Sequence, residues 1–211
     1  MFKKTLMALA MTVMAGVAAA APVVVKGSIY NIDGDHDGQV DDLKISQVAF
    51  TVTAGTSVFF DSLVRESTGV DLNGDGFITG FDNYMMLLQG GTQLFAQDDS
   101  SQTYGDGSVH GYDSAYGYTF AQGGTYLITL GQLSYATEQA LAGYQANTPF
   151  YDYEGGDDRF GAWQLTMTAT NGTLNVLSVD GQSVPEPASL ALAGLALAGL
   201  GVARRKQASK A

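Results

Sequence analysis

Hydrophobic and polar positions alternate along most of the middle of the chain. VAFTVTAG (48–55) alternates, and SVFFDSLV (57–64) follows after a Gly-Thr turn, so this stretch predicts a strand, a turn and a strand. YMMLLQ (84–89) and TQLFAQ (92–97) flank Gly90-Gly91 and predict a hairpin. YGYTFAQ (116–122) and TYLITLGQL (125–133) flank Gly123-Gly124 and predict another. AWQLTMTAT (162–170), Asn171-Gly172 and TLNVLSV (173–179) predict the clearest hairpin, because Asn-Gly suits a two-residue primed turn. SYATEQALAGYQA (134–146) fits a short helix or an irregular loop, and 98–115 reads as a long polar surface loop. Short strands, Gly-rich turns and little helical periodicity predict an all-β fold, an antiparallel β-sandwich of jelly-roll-like form.

The two ends break this pattern. Lys3 and Lys4 precede an apolar run from Leu6 to Val17 and then a string of alanines. A charged start, an apolar centre and small residues make a signal peptide over 1–20, with cleavage between Ala20 and Ala21. The run is shorter than the ~20 residues a membrane-spanning helix needs. Val184-Pro185-Glu186-Pro187 marks the other end. The prolines are excluded from helix and strand interiors and predict an extended, accessible segment. An uncharged Ala/Leu/Gly/Val stretch follows, and Arg204, Arg205 and Lys206 stop it. As a helix over about 188–203 it would rise roughly 21–24 Å at ~1.5 Å per residue. That is short for a hydrocarbon core of ~30 Å, and the basic cluster would stay on the cytoplasmic side. One acidic domain, 21–183, remains between the ends.

Charge changes the picture of that domain. Between Pro22 and Pro187 lie all 21 acidic residues and four basic ones, Lys26, Lys44, Arg65 and Arg159, for a net charge of −17. Such a surface repels nucleic acid and anionic lipid and attracts cations. The chain has no cysteine. Thiol catalysis, cysteine zinc sites and disulfide staples are therefore excluded, and the domain must be held by its core, by bound ions, or by both.

The order V-P-E-P-A-S, short apolar helix, R-R-K over 184–207 resembles the PEP-CTERM sorting signal of Gram-negative bacteria. The resemblance implies export through the inner membrane and processing by an exosortase, a membrane cysteine protease. It also implies residence in the cell envelope, at the cell surface or in the extracellular matrix, in association with exopolysaccharide and biofilm. The membrane would be a partner through the C-terminal helix.

Two aspartate-rich loops carry the candidate chemistry. Asp71, Asn73 and Asp75 stand at positions 1, 3 and 5 of an EF-hand-like loop, with Gly76 at 6, Phe77 at 7 and Asp82 at 12. Ca²⁺ takes six to eight oxygens at about 2.3–2.6 Å, and alternate side chains converge when such a loop curls. Phe77 would offer its carbonyl, and Ile78 would pack inward. Asp82 is shorter than the usual Glu. The competing reading is an acidic turn satisfied by its own backbone. Asp33, Asp35, Asp37 and Gln39 repeat the D-x-D-x-D-G opening around Gly38. Position 12 there is Lys44, which cannot ligate, so Asp41 or Asp42 would have to substitute. Ca²⁺ is the expected cofactor. The second loop with FDNYMMLLQGG is also similar to one dockerin repeat. A dockerin needs two repeats close together, each followed by a helix, whereas the strand-like FTVTAG separates these two loops.

The series GSIYNIDGDHDGQVDDLKISQVAFTVTAGTSVFF, FDNYMMLLQGGTQLFAQDDS and DSAYGYTFAQGGTYLITLG resembles β-sandwich domains related to bacterial pre-peptidase C-terminal domains. Such domains look like accessory or ligand-binding modules, some with Ca²⁺. No G-x-S-x-G or H-E-x-x-H motif is present, and the two histidines, His36 and His110, lie in Gly/Asp-rich loops. The pairs Asp98/Asp99 and Asp157/Asp158 have the residue type for glycoside hydrolysis, but adjacent loop acids are usually solvated. Tyr112, Tyr116, Tyr118 and Trp163 are candidates to stack on sugars, with Trp163 expected in the core. The reading is a non-enzymatic surface or matrix protein. Its alternative is a polysaccharide-binding or polysaccharide-active accessory protein.

Overall fold

The computed structural model describes residues 21–66, 70–100, 111–155 and 160–184. The signal peptide, Pro185 to Pro187, the segment 188–203 and the basic stop fall outside them. Among the described residues no helix is long and apolar enough to cross a membrane.

Among the described residues, twelve strands and one helix follow in chain order. They are β1 (Val23–Ile32), β2 (Asp42–Lys44), β3 (Ser46–Val52), β4 (Ser57–Leu63), β5 (Asn83–Gln89), β6 (Thr92–Gln97), β7 (Ala115–Thr119) and β8 (Gly124–Gln132), then α1 (Thr137–Ala142), β9 (Tyr144–Gln145), β10 (Phe160–Thr170), β11 (Leu174–Val179) and β12 (Gln182–Ser183). The strands form two antiparallel sheets in the orders β7-β4-β10-β1-β2-β9 and β12-β11-β3-β8-β5-β6. The antiparallel sandwich is as the alternation predicts.

Two of the three predicted hairpins need correction. β5 and β6 do form the hairpin over Gly90-Gly91. Gly123-Gly124 and Asn171-Gly172 instead carry the chain from one sheet to the other, as does the predicted turn between β3 and β4. β10 already pairs with β1 on one edge and β4 on the other, so β11 has no edge to join there. The three crossings stack at one end of the sandwich. Gly55 N–H donates to Phe120 O at 2.7 Å, Phe120 N–H to Thr56 O at 2.8 Å, and Thr53 N–H to Thr173 O at 3.2 Å. Gly172 is needed for this stacking, since a Cβ there would lie 2.0 Å from Thr56 Oγ1.

The inward positions make one aromatic-rich core. Phe50 meets Phe60 at 5.7 Å, Phe120 at 5.9 Å and Tyr126 at 6.0 Å. Trp163 is fully buried there, and its indole N–H donates to Ser46 Oγ at 2.9 Å. Tyr116 and Tyr118 lie against Phe95. The 134–146 segment contains the short helix α1. With Tyr135 it covers Met86 and Leu88 on the outer face of the second sheet.

Register determines which loops share an end. Ser57 pairs with Thr170 and Thr119 at the crossing end, whereas Tyr30 pairs with Phe160 and Asn83 with Gln132 at the other. The loops after β1, β4, β6 and β8 therefore gather at the far pole, together with the loop that leads into β10. Nearly all of the acidic loop residues among the described residues lie there.

Candidate functional site

The first acidic loop is built on a buried anchor. Asp42, fully buried on β2, accepts Gly34 N–H at 2.8 Å and Asp35 N–H at 2.9 Å on one oxygen, and Asn147 N–H at 2.9 Å on the other. These donors, Asn147 first, hold its carboxyl below the usual carboxylate range. Asp42 is thus an anchor with both oxygens engaged. Lys44 pairs with Asp180 at 2.5 Å. Asp35 accepts Asp37 N–H at 3.1 Å and Asp37 accepts Gln39 N–H at 2.8 Å, so the loop is a chain of Asx turns. His36 and Gly38 take positive φ to allow this. Carboxylate oxygens of Asp33, Asp35 and Asp37 lie within 4.8 Å of one another. Asp33 Oδ1 is buried without a hydrogen-bond partner.

The second loop has a corresponding anchor that the sequence did not mark. Glu66, 1% exposed, accepts Leu72 N–H at 2.6 Å on one oxygen. Its other oxygen accepts Thr79 N–H at 2.6 Å and the Thr79 hydroxyl at 2.8 Å. Between these pins Asp71 accepts Gly74 N–H at 2.6 Å and Gly76 N–H at 2.7 Å, and Asp75 accepts Phe77 N–H at 2.8 Å. The amides, Gly76 first, hold Asp71 below the usual range. Asn73 donates to Asp75 at 2.6 Å. Leu72 rather than Ile78 is buried, against Leu63 and Ala162. Phe77 is 44% exposed and meets Phe160 edge-on.

Asp82 does not close this loop. An EF-hand returns its twelfth position because a helix follows the loop. Here Thr79 O accepts Glu66 N–H and Gly80 bridges to Arg65, so the chain leaves extended. Asp82 is carried to Asp98 and Asp99, with oxygens of all three within 4.8 Å. Burial first, then the charges of Asp99 and Asp98, push its carboxyl up to about 6. Burial and Asp99 also raise Asp98. Asp82 Oδ1 and Asp98 Oδ1 are buried without hydrogen-bond partners.

The far pole also carries aromatic residues. Arg65 donates from Nε to Glu154 at 2.6 Å, and its guanidinium lies 5.5 Å from the Tyr112 ring centre and 5.9 Å from that of Tyr153. Asp152 accepts Gly80 N–H and Glu154 N–H, each at 2.9 Å. Periodicity could not have located Tyr151 and Tyr153, because their segment is neither helix nor strand. Val184, 37% exposed, donates to Leu177 O at 3.1 Å, so the last sheet contact directly abuts the prolines. Ala21 is exposed at the start of the domain.

Residues 183–206 match the PEP-CTERM protein-sorting motif. The motif implies an exported protein of the cell envelope or surface, sorted by an exosortase. No protein of curated function matches the chain. A solved structure similar to it is that of Aeromonas hydrophila PliG, a periplasmic lysozyme inhibitor of g-type lysozyme. The identity is 12%, with a TM-score of 0.34, over 75% of this chain and 93% of that one.

Proposed function

We propose that the chain is a non-catalytic surface or matrix protein of a Gram-negative envelope, whose sandwich binds Ca²⁺ at the acidic pole and associates with exopolysaccharide. The sandwich would belong with the pre-peptidase C-terminal-related domains, and the tail would hold it at the membrane until an exosortase processes it. One observation carries the calcium reading. Asp33, Asp35 and Asp37 present converging carboxylate oxygens on a loop already curled around Gly38. Three like charges so close repel one another, and a divalent cation relieves that repulsion. Asp71, Asn73, Asp75 and the Phe77 carbonyl would form a second, weaker site, because Asp71 already accepts two amides of its loop and Asn73 stands in place of a third carboxylate.

Thermal melts of the full chain with Ca²⁺ and with chelator test this. Saturation at 100 times Kd stabilises by about 2.7 kcal/mol, so Ca²⁺ is expected to raise Tm by roughly 5–10 °C. Asp35→Asn with Asp37→Asn should abolish most of the shift. No shift in the parent chain would remove the calcium reading. Reducing ends released from a polysaccharide would replace the non-catalytic reading with a hydrolase. Deleting 184–211 should move the protein from the membrane fraction to the medium, and unchanged membrane retention would refute the sorting role.

A further inference from the structure

We propose that Tyr112, Tyr151 and Tyr153 form a docking platform for a neutral polysaccharide, with the exposed Asp99 beside Asp82 accepting sugar hydroxyls. This rests on the exopolysaccharide association proposed above and gives it a place on the molecule. It does not depend on calcium.

The platform is rigid. In the segment 151–154, Asp152 points inward, is 5% exposed and ties Gly80 N–H to Glu154 N–H. Tyr153 N–H donates to Gly80 O at 2.7 Å. The flanking tyrosines consequently face out, Tyr151 58% exposed and Tyr153 43% exposed. Their rings meet edge-on at 4.9 Å, and Tyr112 closes the other side of Tyr153 at 5.7 Å. Tyr112 O accepts Asn83 N–H, which holds the Tyr112 backbone next to the start of β5, directly after Asp82. Single exposed aromatics are common on protein surfaces, but three held together with fixed backbones form a binding surface at little entropic cost.

Charge selects the occupant. A polyanion is repelled by the segment 22–187, whose net charge is −17. An external cation finds Tyr112 and Tyr153 already facing the guanidinium of Arg65, which Glu154 neutralises. The remaining ring surface suits the weakly positive C–H face of a sugar, because aromatic faces are negative. Beside it, Asp99 is exposed next to Asp82 and Asp98, and a carboxylate oxygen accepts hydrogen bonds from hydroxyl donors. An uncharged polymer with C–H faces and many hydroxyl donors satisfies both halves.

The test is native electrophoresis of the full chain in detergent, through gels holding a neutral glucan, a neutral galactomannan, alginate or chitosan. At least one neutral polymer should retard the chain and alginate should not. Tyr151→Ala with Tyr153→Ala should weaken that retardation about tenfold or more, while the paired Phe substitutions and Tyr30→Ala retain it. Circular dichroism of each variant separates lost binding from lost folding. No retardation by either neutral polymer, equal retardation of the double Ala variant, or a preference for alginate or chitosan would overturn the platform. Calcium is read by the melt and the platform by gel mobility, so either can fail alone.

Discussion

Glu66→Ala is the most informative substitution in this domain. The carboxylate takes two backbone N–H groups and one hydroxyl in a buried position. Removing it orphans Leu72 N–H and Thr79 N–H, at about 1–3 kcal/mol for each buried donor left unsatisfied. Loss of the buried charge works in the opposite direction, and water entering the vacated space recovers part of the cost. The net expectation is about 3 kcal/mol, or roughly 6–12 °C in Tm for a domain of this size. Glu66→Gln keeps one acceptor oxygen and turns an NH₂ toward an N–H, so it should lose about half as much. Guanidinium unfolding measures the loss, and hydrogen exchange localises it. The Leu72 and Thr79 amides should exchange faster in Glu66→Ala than global unfolding accounts for. A loss under about 0.5 kcal/mol would refute the anchoring role. So would full loss with those two amides still protected.

Asp82 gives a pH prediction. Its folded carboxyl titrates at about 6 against an ordinary 3.8, so between these values the folded state binds more proton than the unfolded one. Stability contributed by this group is present at low pH and is lost as pH rises through about 6. The ceiling is about 3 kcal/mol, reduced to roughly 1 by solvent screening of a partly exposed group. In calcium-free buffer Asp82→Asn should flatten the fall in Tm between pH 4.5 and 7 by several degrees, and an unchanged slope refutes this. Gly27→Ala places a Cβ 2.4 Å from Trp163 Cζ2 in a fully packed position. It should cost about 3 kcal/mol and perturb the tryptophan near-ultraviolet signal, and a neutral result would show that the core yields there.

Much of the fold was legible in the alternation of residues such as Val48, Phe50 and Val52, because a period of two places one set of side chains on a single face. The partner sheet was not legible. A strand, a short Gly turn and another strand read the same for a hairpin as for a crossing, and only the occupied edges of β10 force Asn171-Gly172 to cross. The aspartate loops were recognisable because Asx turns and Gly torsions are local. Asp42 and Glu66 carry no local signature, since what makes them anchors is burial against amides brought close by folding. Asp82 shows the same division. Its spacing from Asp71 suggests a ring of ligands, but the extended chain after Thr79 delivers it to Asp98 and Asp99. The sequence by itself determined the strand content, the acidity, the turn chemistry of the two loops and the sorting motif, all properties of neighbouring residues. The tertiary structure decided which sheet each strand joins, which carboxylates converge and which tyrosines share a surface. Those depend on residues far apart in the chain, whose meeting is set by strand register and by competition for sheet edges.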